Sequence, residues 1–434
     1  MTRGNPSGAP IESRWTREEV EAFLARERPR YQRIELPYGL VTEGQDRRET
    51  ADLILPERMD GTSFLDVGCF LGFFEHEALR RGAARAVGID IDPDRLRQAR
   101  GIADCLGLPV EFHRLDLERD ALPGQFDTVL CLNVLHHVYD PIAALDRLLA
   151  ATRERLILEM AGPRSALTQK LLWGRNPARG LLHALVAKQP FILVGKGDTN
   201  RAYGFHYLSP GALENMLFHH RGDVARVDIL ESPVLHDRYL AVVWKRRIDH
   251  LAVVSGLPGS VEATLCSRLI GGQLPVLRSE LALDRASEWT LSSPLLLPTR
   301  TEPHVPAMLF HYDIMRGSTD MKVSFERDPA LDLVREHGAS TPALFVWVDP
   351  SNLRARLEAS RREIAKKRDQ REVRAALRFL EDGVRAGTLI SDWLRWCSEK
   401  GLAVTLVDAN AEPRLISFEE LRAKAKAAGF PLDH

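Results

Sequence analysis

The run Phe64-Leu65-Asp66-Val67-Gly68-Cys69-Phe70-Leu71-Gly72-Phe73-Phe74 decides how this chain folds. Its apolar half predicts a buried strand, and the glycines predict a tight turn that opens a helix over residues 75–81. Gly68 and Gly72 let the backbone turn and approach a ligand where a Cβ would clash. A strand and a glycine turn also occur together for packing reasons, so this D-x-G-x-x-x-G pattern alone leaves both interpretations open.

Three downstream segments end in polar residues and favour the ligand-binding interpretation. Eighteen residues after Gly72, the apolar strand 86–89 ends in Asp90, a carboxylate placed to accept both hydroxyls of a ribose. The segment 110–116 ends in an acid that can receive an adenine amino group, and the segment 126–137 carries polar groups off a fourth strand. Four such strand ends in this order predict a doubly wound α/β sheet with a nucleotide crevice.

These four segments resemble the class I S-adenosylmethionine-dependent methyltransferases. The resemblance implies that the glycine motif meets the methionine part of that cofactor, the second-strand acid its ribose and the next acid its adenine. The residues that it places at the cofactor are Asp66, Gly68, Cys69, Gly72, Asp90, Ile91, Asp116, Leu117 and Asn133.

The likeness narrows to one branch of that family. Residues 31–40 (YQRIELPYGL), the stretch 66–69 and the stretch 134–137 (VLHH) are similar to the branch that includes the tRNA wobble-uridine methoxy and oxyacetate synthases. That branch has Tyr-His where this chain has His136-His137, so the fold and cofactor carry over and the acceptor does not. The match covers about residues 30–245, in which the 31–40 segment either covers the cofactor pocket or straps the sheet.

Composition and charge are those of a globular protein and do not favour a nucleic-acid partner. The chain has 434 residues, 44% hydrophobic and 27% charged, which is ordinary for a globular protein of two or more domains. A net charge of −1 provides no overall attraction for a polyanion, so a nucleic-acid partner is not favoured, although a local basic face is compatible with one. The five cysteines form no C-x-x-C pair and predict free thiols in a reducing compartment.

The N-terminus and the apolar runs predict a cytoplasmic protein. Residues 1–13 are polar, lack the blocks of a signal peptide and are expected to be a disordered leader, and a helix is expected over 17–27. Apolar runs such as 181–194 are interrupted and too short to span a bilayer.

The first domain is predicted to hold a Rossmann-like, seven-stranded methyltransferase sheet over residues 30–246, after a leader and helix at 1–29. Strands at 225–230 and 238–244 fit the antiparallel hairpin that closes such a sheet. The segment 161–200 breaks the β/α rhythm, and we interpret it as an insertion that either recognises the acceptor or forms a solvated cap.

A second α/β domain is predicted over residues 247–434, where strand 251–256 runs into another glycine turn. Laid on G-x-x-x-x-G-K-[ST] from Gly256, the second Gly is Val261, the Lys is Glu262 and the Ser/Thr is Ala263. An anion about 4 Å from a phosphate repels it by roughly 1 kcal/mol in water. We therefore interpret this domain as P-loop-like with its phosphate chemistry lost.

The later strands, 307–313, 343–349 and 402–408, end in acids in an order that resembles nucleotide kinases and sulfotransferases. In those families Asp349-Pro350 would begin a mobile lid. The following helix carries many arginines, but acids alternate with them, which favours a solvated, salt-bridged helix over a phosphate-binding lid.

His136 and His137 follow the strand that faces the sulfonium, and an imidazole suits the removal of a hydroxyl proton at neutral pH. Both side chains cannot point the same way, so at most one acts as the base, and either of them can instead pack or cap a helix. Glu159 and His206 are weaker candidates for the base. No cluster has metal-ligand spacing, so no metal is expected.

The sequence thus predicts a methyltransferase that transfers a methyl group to an oxygen, less favourably a nitrogen, of a small-molecule, glycan or lipid-linked acceptor. The alternatives are a bifunctional methyltransferase-kinase or methyltransferase-sulfotransferase, a tRNA-modifying enzyme and a non-enzymatic regulator. The oligomeric state is left open.

Overall fold

A computed structural model describes residues 14–161, 189–195, 205–220, 223–261, 263–294, 302–317, 324–338, 340–363 and 367–433. Two compact units divide the chain. The first contains Met1–Leu217 and Arg226–Lys245, and the second contains Phe218–Ala225 and Arg246–His434. The predicted leader 1–13, Glu262 and most of the predicted insertion 161–200 lie outside the described residues.

The first unit is built on a seven-stranded sheet of order β3-β2-β1-β4-β5-β9-β8, which confirms the predicted Rossmann-like sheet. Its strands are β1 (Ser63–Val67), β2 (Arg85–Asp90), β3 (Glu111–Arg114), β4 (Phe126–Leu132), β5 (Thr152–Ala161), β8 (Val224–Glu231) and β9 (Arg238–Lys245). Strands β1 to β5 pair in parallel, and β9 pairs antiparallel to β5. A separate antiparallel pair joins β6 (Ile192–Gly195) to β7 (Phe205–Leu208).

The helices of this unit are α1 (Arg17–Glu27), α2 (Arg48–Ile54), α3 (Phe73–Arg80), α4 (Pro93–Leu106), α5 (Pro141–Ala150) and Pro210–His220. Helix α1 confirms its prediction, since Thr16 and Glu19 form a reciprocal capping box at its start. Helix α3 begins two residues before the predicted start, because Gly72 in a left-handed conformation is already its N-cap.

Parallel register brings the strand ends to one edge of the sheet. Val67 pairs with Ile89, and Leu132 pairs with Glu159. Strand β3 stops at Arg114, so the prediction of a strand through Asp116 is wrong at its end. The Asp116 carboxylate instead accepts the Glu118 N–H at 2.9 Å, which forms a turn rather than a strand.

The second unit has a six-stranded sheet of order β11-β12-β10-β13-β14-β15. Its strands are β10 (Arg247–Gly256), β11 (Thr290–Ser292), β12 (His304–Asp313), β13 (Pro342–Trp347), β14 (Ala403–Asp408) and β15 (Arg414–Ile416). Strands β10 to β14 are parallel, and β15 pairs antiparallel to β14. The helices are Ala263–Ile270, Pro275–Glu280, Asp332–His337, Pro350–Glu363, Lys367–Glu381, Gly383–Glu399 and Phe418–Ala427.

Two predictions for this unit are wrong in detail. The single arginine-rich helix is two helices, Pro350–Glu363 and Lys367–Glu381. Strand β13 ends at Trp347 and not at Asp349. The Asp349 N–H donates to Asn410 Oδ1 at 2.8 Å, and its carbonyl accepts the Asn352 N–H at 2.9 Å, so this residue begins the next helix.

Within the described ranges, no helix is long and apolar enough to cross a bilayer. In the same ranges, no group of three or more His, Cys, Asp or Glu side chains has the arrangement of a metal site. The five cysteines, Cys69, Cys105, Cys131, Cys266 and Cys397, are buried free thiols, as predicted.

Candidate functional site

The glycine turn after β1 is fixed to the end of β2. The amides of Gly68 and Cys69 both donate to the Ile89 carbonyl, at 2.8 and 3.1 Å. Gly68 and Gly72 have φ values of +83° and +84°, which other residues rarely adopt. A Cβ at Gly68 would lie 2.3 Å from Val134 Cγ2, so this turn requires glycine.

Cys69 contributes to this turn through its backbone. Its side chain is completely buried in a cluster with Leu96, Ala99 and Phe112. Because the thiol faces the core, any contact that Cys69 makes with a ligand involves main-chain atoms.

Asp90 lies at the end of β2 with its carboxylate held by two backbone donors. The Asp92 N–H donates to Oδ1 at 2.9 Å, and the Phe70 N–H donates to Oδ2 at 3.3 Å. The Arg95 guanidinium lies 3.8 Å from Oδ2. These contacts fix the orientation of the carboxylate at the mouth of the glycine turn.

The apolar residues predicted beside the two acids differ in environment. The Ile91 side chain is 60% exposed, which is unusual for an isoleucine, whereas Leu117 is buried. Asp116 is half-buried beside Leu117. Ile91 therefore offers an apolar surface next to Asp90, and Leu117 packs in the protein interior.

Two more carboxyl groups are buried beneath the turn. Burial, then the charge of Asp90, raises the pKa of Asp66 to about 8, although Arg47 opposes the shift. Burial and the nearby Asp66 raise the pKa of Glu75 well above its usual value, although its own amide and the Cys69 thiol oppose the shift. Neither Glu75 oxygen has a hydrogen-bond partner of good geometry among the described residues. Burial thus favours the protonated form of both carboxyl groups.

A buried network joins the ends of β4 and β5 around Glu159. Its carboxylate accepts from Arg47 Nη2 at 2.8 Å, from Asn133 Nδ2 at 2.5 Å and from Ser232 Oγ at 2.7 Å. The backbone N–H of Asn133 also donates to the backbone carbonyl of Glu159 at 2.9 Å. The carboxylate of Glu159, which the sequence suggested as a weaker candidate for the base, therefore accepts from three donors. It holds the side chains of Arg47, Asn133 and Ser232 in place.

Two polar atoms of this network have no partner. Asn133 Oδ1 and Arg47 Nε are buried and make no hydrogen bond to the described residues. Asn133 is also held at a φ of +60°, a conformation that costs about 1–3 kcal/mol and that clusters at ligand sites. Buried polar groups normally have hydrogen-bond partners. Asn133 Oδ1, after β4, and Arg47 Nε, before α2, are therefore candidate contacts for a polar ligand.

The segment before α2 lies on the glycine turn. Gln32, itself buried, accepts the Leu71 N–H through Oε1 at 3.0 Å. The Tyr31 ring stacks on Phe70 with centroids 4.5 Å apart, and the Arg95 guanidinium lies 4.3 Å from the Phe70 centroid. We call residues 31–45 the strap. Sequence reasoning singled out part of this segment but missed Gln32, Phe70 and Arg95, whose contacts span distant parts of the chain.

His136 and His137 lie in a short 3-10 helix, Leu135–His137, directly after Asn133 and Val134. His136 is 1% exposed, whereas His137 is exposed, although their rings lie 4.1 Å apart. The two imidazoles thus lie in different environments, and His137 is the one exposed to solvent. His206, on the neighbouring β7, is half-buried.

His76 is another imidazole of this unit. It is 1% exposed, and burial, followed by the charge of Arg80, lowers its pKa to about 3. It is therefore neutral and structural.

Part of the first unit matches a known protein family by sequence. Residues 58–187 match a family model described as a methyltransferase domain. This segment is a methyltransferase domain. The match includes the glycine turn, Asp90, Asp116, Asn133 and both histidines at 136 and 137.

Curated relatives share part of the methyltransferase domain. A ubiquinone biosynthesis O-methyltransferase of Methylococcus capsulatus is 40% identical over 93 residues, which is 20% of this chain and 39% of the relative. The enzyme of that name from a Methylobacterium species is 31% identical over 134 residues, which is 31% of this chain and 53% of the relative. The chain thus spans about half or less of the length of these two relatives.

A solved structure also resembles the chain. It is the N-terminal domain of EvdMO1 in the presence of SAH and D-fucose, which is 19% identical, covers 54% of this chain and 97% of that chain, and has a TM-score of 0.39. A score this low supports no comparison of individual residues.

Proposed function

We propose that this protein is an S-adenosylmethionine-dependent methyltransferase that methylates an oxygen of a small-molecule acceptor. The observation that carries the proposal is the Asp90 carboxylate held at the mouth of a glycine turn within a methyltransferase domain. The curated relatives are named O-methyltransferases, which supports oxygen as the acceptor atom. The proposal also includes a glycan or a lipid-linked molecule as the acceptor whose oxygen is methylated.

The polar groups at the strand ends fit S-adenosylmethionine. Asp90 can accept the ribose hydroxyls, and the exposed face of Ile91 suits the adenine ring. Among the residues that the structure describes, Asn133 Oδ1 lacks a donor and Arg47 Nε lacks an acceptor, which matches an ammonium and a carboxylate on one amino-acid moiety. When bound, this cofactor supplies an electrophilic methyl group on a sulfonium.

The protein's contribution to such a displacement is alignment and proton removal. The Glu159 network fixes Asn133 and Arg47, and the strap lies on the glycine turn, so the donor is held in one orientation. We assign His137 as the group that accepts the acceptor's hydroxyl proton, because its imidazole is exposed beside Asn133 and Val134. His136 is assigned a packing role, because it is buried.

A methyl-transfer assay tests these assignments. Incubating a cell extract with the protein and a labelled methyl donor, and then identifying the labelled product, yields the acceptor. With that acceptor, His137→Ala is expected to lower kcat by about 10²–10⁴ and to change cofactor affinity less than about twofold. His113→Ala, an exposed histidine on β3, is the matched control and should retain the wild-type rate. A wild-type rate in His137→Ala would remove the assigned base, and the absence of any labelled product would remove the activity.

We further propose that the second unit is P-loop-like and does not hydrolyse nucleotides. Its central strand β10 has parallel neighbours on both sides and runs into a glycine-containing turn. Ser260, in that turn, is buried and donates to the Leu257 carbonyl through both its amide, at 2.9 Å, and its hydroxyl, at 2.6 Å. Ser260 is thus hydrogen-bonded within the turn, and the sequence has Glu262 where a phosphate-binding lysine would stand.

A further inference from the structure

A cavity of about 170 Å³ opens in the second unit at the amino ends of β10 and β13. Its lining includes His250 on β10, Pro342 at the start of β13, and Arg285 and Trp289 from the segment before β11. The turn after β10 lies at the carboxyl end of the same strand. The cavity is therefore at the opposite edge of the sheet from the P-loop-like turn, and methyl transfer does not account for it.

Part of the wall is held in an unfavourable backbone conformation. Ala282 and Ser340 both line the cavity and have φ values of +51° and +74°. The Ser340 amide donates to the Gly401 carbonyl at 2.8 Å, which anchors that side of the wall. Residues with a Cβ adopt this conformation only when the surrounding structure imposes it, and such positions cluster at ligand sites.

The cavity is lined by a cationic side chain, Arg285. The exposed Arg285 guanidinium has no carboxylate within ion-pair distance in the described part of the chain. Asp249, the carboxylate of the lining, is engaged by His304 at 2.7 Å and Arg247 at 3.4 Å. Burial lowers the pKa of His337, another residue of the lining. Arg285 is thus available to an anion.

Trp289 provides a fixed aromatic wall. Its indole N–H donates to the Leu283 carbonyl at 2.9 Å, and its ring packs against the core of this unit. An engineered apolar cavity of roughly 150 Å³ holds one benzene ring. A volume of about 170 Å³ therefore has room for a single six-membered ring, and the lining here also includes polar side chains such as Asp249 and His250. The planar fork of arginine suits a carboxylate.

We propose that this cavity binds a single-ring aromatic carboxylate, with the carboxylate on Arg285 and the ring against Trp289. The cavity has room for one ring, Arg285 is available to the carboxylate, and Trp289 offers a flat apolar surface to the ring. This site is independent of the methyltransferase domain, because every lining residue belongs to the second unit.

Titration of the full-length protein with 4-fluorobenzoate, followed by fluorine NMR, tests the proposal. Saturable binding is expected, with an affinity at least about tenfold higher than that of 4-fluorobenzamide, which has the same shape without the charge. Arg285→Gln should weaken 4-fluorobenzoate binding about tenfold or more and leave the weak binding of the amide unchanged.

Arg395→Gln is the matched control, since Arg395 is an exposed arginine paired with Asp392 outside the cavity. It should bind 4-fluorobenzoate like the wild type. Equal affinity for the acid and the amide in the wild-type protein would overturn the proposal without any variant. Equal binding of the acid by Arg285→Gln and Arg395→Gln, or no saturable binding by the wild type, would also overturn it.

Discussion

Asp66 and His76 lie on neighbouring elements of the first unit and respond to pH in opposite directions. The folded-state pKa of Asp66, about 8, is above its usual value of 3.8, so the folded protein binds the extra proton between these values and loses stability as the pH rises. The folded-state pKa of His76, about 3, is below 6.5, so the unfolded chain binds the extra proton and stability rises with pH in that window. Of these two residues, only Asp66 still changes the free energy of unfolding with pH above about pH 6.5.

We therefore expect Asp66→Asn to flatten the decline of unfolding free energy between about pH 6.5 and 8. The slope that the variant removes is at most about 1.4 kcal/mol per pH unit, the limit for one proton. Urea unfolding at several pH values measures it, and Asp60→Asn, at an exposed aspartate, is the control. A variant with the wild-type slope would show that Asp66 ionises normally in the folded protein.

At this scale the sequence indicates some residues and hides others. Asp66, Gly68, Gly72 and Asp90 stand out in the sequence because each lies in a strand or in the glycine turn of a local strand-turn-helix pattern. Arg47 carries no local signal, because its role depends on a tertiary contact with Glu159 that lies 112 residues away. The division between buried His136 and exposed His137 depends in the same way on packing that adjacent residues do not reveal.

The strap is an element defined by its contacts rather than by regular structure. Thr42 Oγ1 donates to the Gln32 carbonyl at 2.6 Å and accepts the Ile34 N–H at 2.8 Å, which holds the strap together. Gln32 then links the strap to the glycine turn through Leu71. Since the turn is where the proposed cofactor lies, the strap should influence cofactor affinity as well as stability.

Replacing Gln32 by Met keeps the size of the side chain and removes its acceptor. The buried Leu71 N–H is then unsatisfied, which is expected to cost about 1–3 kcal/mol of stability and to weaken cofactor binding. Thermal unfolding and S-adenosylhomocysteine binding measure the two effects. Gln45→Ala, at an exposed position of the same strap, should change neither. If Gln32→Met matched Gln45→Ala in both measurements, the strap would have no role at the turn.

Element boundaries were predicted less well than element order. The predicted strand through Asp116 ends at Arg114, because Asp116 and Asp120 form side-chain hydrogen bonds to turn amides. The arginine-rich segment of the second unit divides into two helices although its charge pattern is continuous. Local patterns set the type of element, whereas capping contacts from other parts of the chain set where it ends.

The chain as a whole combines a methyltransferase domain with a second parallel sheet. Repeated strand-turn-helix patterns made both sheets predictable, because alternation of apolar strands with helices forces parallel pairing. The short edge strands β11 and β15 were not predicted, since three residues carry too little periodicity. The cavity beside Trp289 was also beyond prediction, because its walls come from segments far apart in sequence.

For the second unit we expect no ATP hydrolysis by the full-length protein. Ser260 is hydrogen-bonded within the turn after β10, and position 262 carries an anion instead of a cation. A phosphate-release assay with ATP and Mg²⁺ measures this, and Ser260→Ala is expected to leave the rate at background. Turnover above background that disappeared on Ser260→Ala would show that the turn retains phosphate chemistry.

Equilibrium dialysis of the full-length protein against labelled S-adenosylhomocysteine is the direct test of the proposal that the protein binds S-adenosylmethionine through Asp90. We expect saturable binding by the wild type, loss of at least about tenfold in affinity for Asp90→Ala, and a change below about twofold for Asp94→Asn, an exposed aspartate four residues away. Absence of saturable binding by the wild type, or wild-type affinity in Asp90→Ala, would contradict it.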